Sequence, residues 1–342
     1  MNQGFLVLLG WAVSYGLTGL LRRYALKQSL MDVPNARSSH TVPTPRGGGV
    51  AIVASFLLVA LIMALSGSLS GRQVLALIAP GILVAVLGFM DDHGHIAARW
   101  RLLGHFGAAL LALLCIGGMP AIPLPWTEVE PSWWLLALGS FYMVWMLNLY
   151  NFMDGIDGIA SVQAITTCLG ICLIYALGGH LDLVWAPLLL AAAVAGFLLW
   201  NFPPAKIFMG DAGSGFLGLV LAVMSLQGSW SDGRYFWVWL ILMGVFIVDA
   251  TLTLFRRLLR GDKVYEAHRS HAYQYASRYW RGHRPVTLCV AALNVFWLLP
   301  IGFAVIFAHL PGLVGVMLAY VPLVMLAGKY HAGARESASA VI

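Results

Sequence analysis

Charge is the scarcest property of this chain. Its 342 residues include 20 Lys and Arg and 14 Asp and Glu, so only 10% are charged, where soluble domains carry about 25%. A large soluble core is thereby excluded. Cysteine is rarer still: Cys115, Cys168, Cys172 and Cys289 all fall inside apolar runs. They match neither a disulfide framework nor a zinc spacing and read as small buried side chains. No internal repeat and no low-complexity tract is present. The first apolar run, Gly4 to Leu21, is too long for a signal-peptide core and lacks a small-residue cleavage site. It reads as an uncleaved membrane anchor.

What is abundant is apolar surface: 60% of residues are hydrophobic and the mean hydropathy is +0.83. Stretches long enough to cross a bilayer, about 20 residues each, occur at 3–22, 48–66, 73–90, 102–119, 132–150, 159–178, 183–200, 212–229, 235–255, 286–308 and 312–328. The expected fold is all-α, a polytopic membrane helical bundle of about 11 transmembrane helices. It forms one domain over 1–328, followed by a short polar, disordered tail over 329–342.

The net charge of +6 and pI near 9.3 do not call for nucleic acid, because membrane proteins concentrate Lys and Arg in cytoplasmic loops. With the amino terminus outside, eighteen basic residues fall on one side and only Arg72 and Arg234 on the other. The amino terminus is therefore expected to be periplasmic and the carboxyl terminus cytoplasmic. The polar clusters at 32–49, 91–101, 148–157, 201–211 and 256–284 all fall on the basic side. Chemistry is expected at that cytoplasmic face, where a water-soluble substrate meets membrane lipid. No pairing motif specifies an oligomer, and a homodimer is among the assemblies this surface admits.

The central stretch is NLYNFMDGID, in which Asn148, Asn151, Asp154 and Asp157 recur every third residue. On a helix that spacing keeps neighbours on one face, either as a helix end reaching water or as a polar stripe facing a site. The first loop, DVPNARSSHTVPTPRGGG, carries Arg37, His40 and Arg46, which tilt it toward an anionic ligand. Its Gly47–Gly49 run before a helix can bind phosphate through free amides or serve as a tight re-entry turn. Asp91 and Asp92 end the third apolar run, ahead of Arg99 and Arg101. Such carboxylates suit Mg²⁺, act as base or nucleophile toward a phosphate ester, or form a solvated acidic turn. Zinc at His93 and His95 lacks further ligands. NFPPAKIFMGDAGS supplies Asn201, Lys206 and Asp211, the last either an N-cap or a third carboxylate of one cation site. Asp249, inside a span, is a candidate partner of Arg256 or Arg257. Downstream, His268, Arg269 and His271 could clamp pyrophosphate. The aromatics Tyr273, Tyr275, Tyr279 and Trp280 read as a membrane-surface stretch.

Together GFMDDHGHIAARWR, NLYNFMDGIDGIA, FPPAKIFMGDAGS and DATLTLFRRLLRG with HRSH resemble the polyprenyl-phosphate N-acetylhexosamine-1-phosphate transferase family. That family includes the enterobacterial-common-antigen and O-antigen initiating transferases and the phospho-MurNAc-pentapeptide translocase. The loop PNARSSHTVPTPRGGG looks most like the O-antigen-initiating subgroup. Two departures from the translocase branch favour a simpler UDP-sugar. His40-Thr41 stands near that branch's first-loop lysine, and its three-histidine run is here only His268 and His271.

The resemblance implies transfer of a sugar-1-phosphate from a UDP-amino sugar, of the GlcNAc, FucNAc, QuiNAc or GalNAc type, to undecaprenyl phosphate with release of UMP. It implies Mg²⁺, or Mn²⁺, held by Asp211, Asn151 and Asp92, with Asp91 as base on the lipid phosphate and Asp92 supporting either. Asn148, Asp154, Asp157, Asn201 and Lys206 would bind substrate on the nucleoside side. Arg46, Arg99, Arg101, Arg269, His268 and His271 would hold phosphates or sugar. The implied location is a bacterial inner membrane. A secondary transporter or flippase is the rival class, but transporters place ionisable groups near the midplane, often with paired repeats.

Overall fold

A bilayer offers no water to backbone amides, so an apolar chain must satisfy them internally, as helix. The computed structural model describes residues 2–34, 39–94, 96–263 and 268–335. In order these form α1 (Gln3–Lys27), β1 (Met31–Asp32), β2 (Thr44–Pro45), α2 (Gly49–Leu65), α3 (Gly71–His93), α4 (Ala98–Ile116), β3 (Ile122–Pro123), β4 (Glu128–Val129), α5 (Trp133–Met153), α6 (Ile159–Leu177), α7 (Trp185–Asn201), α8 (Asp211–Ser229), α9 (Arg234–Leu242), α10 (Gly244–Leu259), α11 (Ala272–Tyr279), α12 (His283–Leu293), α13 (Leu299–Phe307) and α14 (Gly312–Lys329). The strands are two short antiparallel pairs, β1 with β2 and β3 with β4.

The apolar helices make this a multi-pass membrane protein. Nine described spans are long and apolar enough to cross a membrane. The remaining two of the eleven expected segments differ. α2 is apolar but has 17 residues, and 235–255 is divided into α9 and α10 with a 72° bend. At the bend the Leu242 carbonyl accepts hydrogen bonds from Gln163 Nε2 at 2.9 Å and Thr167 Oγ1 at 3.1 Å on α6. Side-chain donors supplied by a neighbouring helix are what make a break tolerable in lipid. α12 and α13 join through a π-helical turn, Asn294–Leu298, into one span. There Asn294 Nδ2 donates to Gln163 Oε1 and Thr166 Oγ1.

α8 is the axis of the bundle. Of its apolar window 94% is buried, against 22% for α4 and for α14, and α2, α3 and α5 pack around it. Lipid supplies no hydrophobic drive between helices, so close backbone approach has to supply the attraction. A Cβ on Gly218 would stand 2.5 Å from the Met146 carbonyl and 2.7 Å from Leu147 Cα on α5. A Cβ on Gly49 would stand 2.5 Å from Gly213 Cα. The polar start of α8 is thereby fixed at the end of the bundle that carries the basic loops.

Two expectations change at the ends of the chain. The first residues of the tail are tied down: Gly333 N donates to Ser270 O at 2.7 Å, Arg256 Nη1 to Ala332 O at 2.9 Å, and Tyr275 Oη to Ala334 O at 3.2 Å. The end of the tail, 336–342, lies outside the described residues. Cys289 is exposed rather than buried, because its face of α12 lines an open groove.

Gly218→Val is expected to lower detergent-solubilised stability by about 1–3 kcal/mol, the usual cost of overpacking. Gly16→Val, at a position where a Cβ meets nothing within 4 Å, is expected to leave the thermal midpoint near that of the wild type. A thermal-unfolding scan of both variants checks this.

Candidate active site

The site begins with a backbone ladder that the sequence did not announce. Residues of the first loop run alongside the segment before α8: Phe208 N donates to Pro45 O at 2.8 Å, Gly48 N to Phe208 O and Gly49 N to Met209 O, each at 2.9 Å. The Gly48 and Gly49 amides are therefore committed to carbonyls and not free for phosphate, and these glycines serve close packing instead. The ladder carries Arg46 to the start of α8, where Arg46 Nη2 lies 2.7 Å from Asp92 Oδ1 and 2.9 Å from Asp211 Oδ1. Burial works against the Arg46 charge, but Asp211, Asp92 and Asp32 outweigh it, and the guanidinium is held above its ordinary pKa.

Asp92 caps α8 from outside. Its carboxylate accepts from Asp211 N at 3.1 and 3.0 Å and from Ala212 N at 3.4 Å, and its side chain is only 4% exposed. A carboxylate at a helix amino terminus meets both unpaired amides and the positive end of the dipole. With both oxygens taken by these amides and Arg46, Asp92 stands behind the site rather than in it, which removes it from the expected metal ligands. Gly210, at φ +80°, permits this approach: a Cβ there would stand 2.7 Å from Asp92 Oδ2. Asp91 accepts from Ile96 N at 2.9 Å and is paired with Arg101, whose Nη1 also lies 3.7 Å from Asp211 Oδ2.

The groups that face one another across a cavity of about 210 Å³ include Arg46, Asn151, Asp154, Asp157, Asn201, Asp211, Ser214, Phe208 and His283. Asp154, just past the end of α5, makes no side-chain hydrogen bond or ion pair among the described residues. Burial pushes its carboxyl well above the usual carboxylate range, and Asp211, Asp92 and Asp157 add to this while Arg46 opposes it. Asn151 Nδ2 donates to Ser214 Oγ at 3.0 Å, leaving its carbonyl oxygen available. Among the described residues no three His, Cys, Asp or Glu side chains converge as a ready-made metal cage. Mg²⁺, however, commonly binds through one or two carboxylates completed by water and substrate phosphate. Asp154, Asp211 and the Asn151 carbonyl fit that pattern, and a cation there would relieve the crowding of carboxylates around Asp154.

The other predicted residues separate by placement. Asn201 lines the cavity but is a buried clip: its Oδ1 accepts from Gly158 N and its Nδ2 donates to Ile207 O, both at 3.0 Å. Asn148 turns back to the Val144 carbonyl at 2.7 Å and is not among the cavity's lining residues. Lys206 is exposed, its Nζ 5.7 Å from the centre of the Trp200 ring, and Arg99 lies 5.6 Å from that of Trp100. Neither lines the cavity. His93 packs on Phe89 at 4.2 Å, while His95 and Arg37 lie outside the described residues.

The late basic loop departs most from expectation. Asp249, by sequence a candidate partner of Arg256 or Arg257, caps α11, accepting from Ala272 N and Tyr273 N, each at 2.9 Å. His271, 2% exposed, turns its Nδ1 to Asp249 Oδ1 at 3.2 Å. His268 stacks on His271 at 4.9 Å, and burial, with His271 and Arg257 beside it, pushes its imidazole down to about 3. A ring that is neutral at physiological pH is a poor phosphate clamp, and neither histidine lines the cavity. Tyr273 is buried, with its hydroxyl on the Phe152 carbonyl at 3.0 Å, whereas Tyr279 and Trp280 are exposed.

Arg269 lines a second space, a groove of about 860 Å³ that also includes Arg278, Arg281 and Arg284. Groove and cavity share Ser39, His40, Asp157, Phe208 and His283 in their walls. On the other side of Tyr273 lies an apolar groove of about 440 Å³ lined by residues such as Val248, Val290, Phe296 and Leu326. Sequence reasoning missed His283, Ser214 and Phe208. Ser214 and Phe208 flank Asp211 inside a quoted motif, but His283 stands in RGHRP, which carries no spacing signal.

Comparison with known proteins gives the family. Residues 74–229 match the model of glycosyl transferase family 4. The chain is 30% identical over 278 residues to the probable undecaprenyl-phosphate N-acetylglucosaminyl 1-phosphate transferase of Bacillus subtilis (strain 168), covering 80% of this chain and 77% of the relative. It is 30% identical over 316 residues to the decaprenyl-phosphate N-acetylglucosaminephosphotransferase of Mycobacterium tuberculosis (strain CDC 1551 / Oshkosh), covering 81% and 76%. It is 26% identical over 307 residues to the phospho-N-acetylmuramoyl-pentapeptide-transferase of Halalkalibacterium halodurans, covering 85% and 90%. The chain belongs to glycosyl transferase family 4, among the polyprenyl-phosphate N-acetylhexosamine-1-phosphate transferases.

Proposed function

We propose that this protein transfers a sugar-1-phosphate from a UDP-N-acetyl amino sugar to undecaprenyl phosphate at the cytoplasmic face of a bacterial inner membrane, releasing UMP and starting a surface polysaccharide such as O antigen. The observation that carries this reading is the convergence of Asp154, Asp211, Asn151 and Arg46 on one cavity, with an apolar groove a single side chain away. The relatives' names support a prenyl phosphate as acceptor and an N-acetylglucosamine phosphate as the group transferred. A flippase gains nothing from this arrangement, because the cavity's carboxylates cluster at helix ends and not at mid-bilayer.

In the reaction a lipid phosphate oxygen attacks the phosphorus that bears the sugar. The bond from that phosphorus to the oxygen of UMP breaks, and its electron pair leaves with UMP. Two anions must approach, so the site has to screen charge and hold the line of attack. Asp154, Asp211 and the Asn151 carbonyl would hold Mg²⁺ or Mn²⁺, which when bound supplies charge neutralisation at the diphosphate. Arg46, held at the cavity by Asp92 and Asp211, is placed to donate to a phosphate oxygen. The dianionic lipid phosphate needs little help from a base. Asp91, off the cavity wall and paired with Arg101, therefore serves to orient Arg101 toward Asp211. Phe208 would offer a ring to the nucleoside, in a cavity that Asp157 and Asn201 also line. The polyprenyl chain fits the apolar groove beside Tyr273.

Asp211→Asn is expected to reduce transfer by at least about 100-fold, the scale of a lost electrostatic stabiliser, with the protein still eluting as a folded species. Wild-type-like UMP release by that variant would remove the shared site. Excess chelator is expected to abolish UMP release, with Mg²⁺ or Mn²⁺ restoring it; full activity in chelator would contradict the metal. Assay against a panel of UDP-N-acetyl sugars then identifies the donor.

A further inference from the structure

The wall shared by the cavity and the arginine-lined groove is tied together by one imidazole. His283 is the first residue of α12, and its Nε2 lies 3.0 Å from the Ser39 carbonyl. A carbonyl only accepts, so Nε2 carries a hydrogen and donates. Its Nδ1 lies 3.1 Å from Asp157 Oδ1 and 3.3 Å from Asp157 N. A neutral ring accepts there from the amide, and a protonated ring donates to the carboxylate, so the link to Asp157 exists in either state. One turn along α12, Thr287 Oγ1 donates to the Asp157 carbonyl at 2.9 Å. From the loop before α8, Ala205 N donates to Asp157 Oδ2 at 3.0 Å. Asp157 is thus fastened by α12 and by the loop before α8, and His283 extends that fastening to the first loop at Ser39.

His283 and both of its partners belong to the set that lines cavity and groove alike. They therefore stand where the two spaces adjoin. The groove side of that boundary is rich in arginine, with Arg269, Arg278, Arg281 and Arg284 in its wall. The cavity side holds Arg46 and the carboxylates. A molecule spanning both would be anionic and elongated, which describes a nucleoside diphosphate sugar and not the apolar acceptor, whose groove lies beyond Tyr273.

We propose that His283 is a positioning residue for the donor: by tying Asp157 to the first loop it sets the shared wall against which the nucleoside diphosphate sugar sits. This rests on the reading of the donor given under Proposed function. It goes further in assigning to one residue outside every recognised motif an effect on donor and not on acceptor.

The test is steady-state kinetics of His283→Ala and His283→Gln, with the inhibition constant of UDP and the thermal midpoint measured beside them. Loss of a bridging pair of hydrogen bonds is expected to raise the donor KM and the UDP inhibition constant about tenfold. The polyprenyl-phosphate KM and kcat should stay within about twofold of wild type on the same reasoning. Gln, whose amide can still reach the Ser39 carbonyl, should recover part of the donor affinity. Unchanged donor KM and UDP inhibition in both variants would overturn the proposal. So would equal losses toward both substrates together with a lowered thermal midpoint, the pattern of a purely structural clip. If Ala does not fold, Gln alone decides by the same criteria. A wild-type protein that neither binds UDP nor releases UMP would instead sink the reading of the donor, which separates the two failures.

Discussion

A single buried carboxylate organises the reactive end of this bundle. Asp92 is nearly inaccessible, yet it is received by the Asp211 and Ala212 amides and by Arg46. A buried carboxylate is tolerated only with this degree of satisfaction. Its partners come from two other parts of the chain, so satisfying the charge fixes α3, the start of α8 and the first loop relative to one another. Removing any partner would leave the others with an unmatched charge or unpaired amides. The position of Asp211 in the cavity follows from this arrangement and not from the local conformation of its own segment.

The same solution recurs across the site. Asp249 on α10 caps α11 as Asp92 caps α8, and in both cases a neighbouring helix supplies the acceptor that the first turn lacks. Elsewhere side-chain amides meet freed backbone groups: Asn201 clips the α5–α6 turn to the loop before α8, and Gln163 meets Leu242 at the bend between α9 and α10. In a chain with so few charges, most polar side chains at this end are committed to such bonds. The exceptions are informative. Asp154 has no partner among the described residues and faces the cavity, as expected of a group kept for a ligand.

Function follows from which spaces these bonds leave open. The cavity is small and polar, the groove beside it is lined by arginines, and the groove beyond Tyr273 is apolar. Transfer of a sugar-1-phosphate to a prenyl phosphate calls for polar, cationic and apolar surfaces within reach of one another. The bent α9–α10 pair contributes directly, since α10 forms one wall of the apolar groove through Val245 and Val248.

Much of this was legible beforehand. Hydropathy alone located the helices, because the length of an apolar run is set by the bilayer, and Asn151, Asp154 and Asp211 could be named because short motifs placed them at helix ends on one face. What could not be read was which polar residues are already used up. Asp92, Asn148, Asn201, His268 and His271 look as available in sequence as Asp154 does, but Asp92, Asn201 and His271 are bonded to groups elsewhere in the fold, and Asn148 and His268 to groups four and two residues away. His283 shows the converse: nothing in RGHRP signals a partner, since Ser39 and Asp157 are 244 and 126 residues away along the chain. The sequence by itself determined a membrane helical bundle with its polar groups gathered at one end, because periodicity and hydropathy are local properties. Only the tertiary structure decided which of those groups face the cavity, because a hydrogen bond is satisfied by proximity in space and leaves no mark on the spacing of residues.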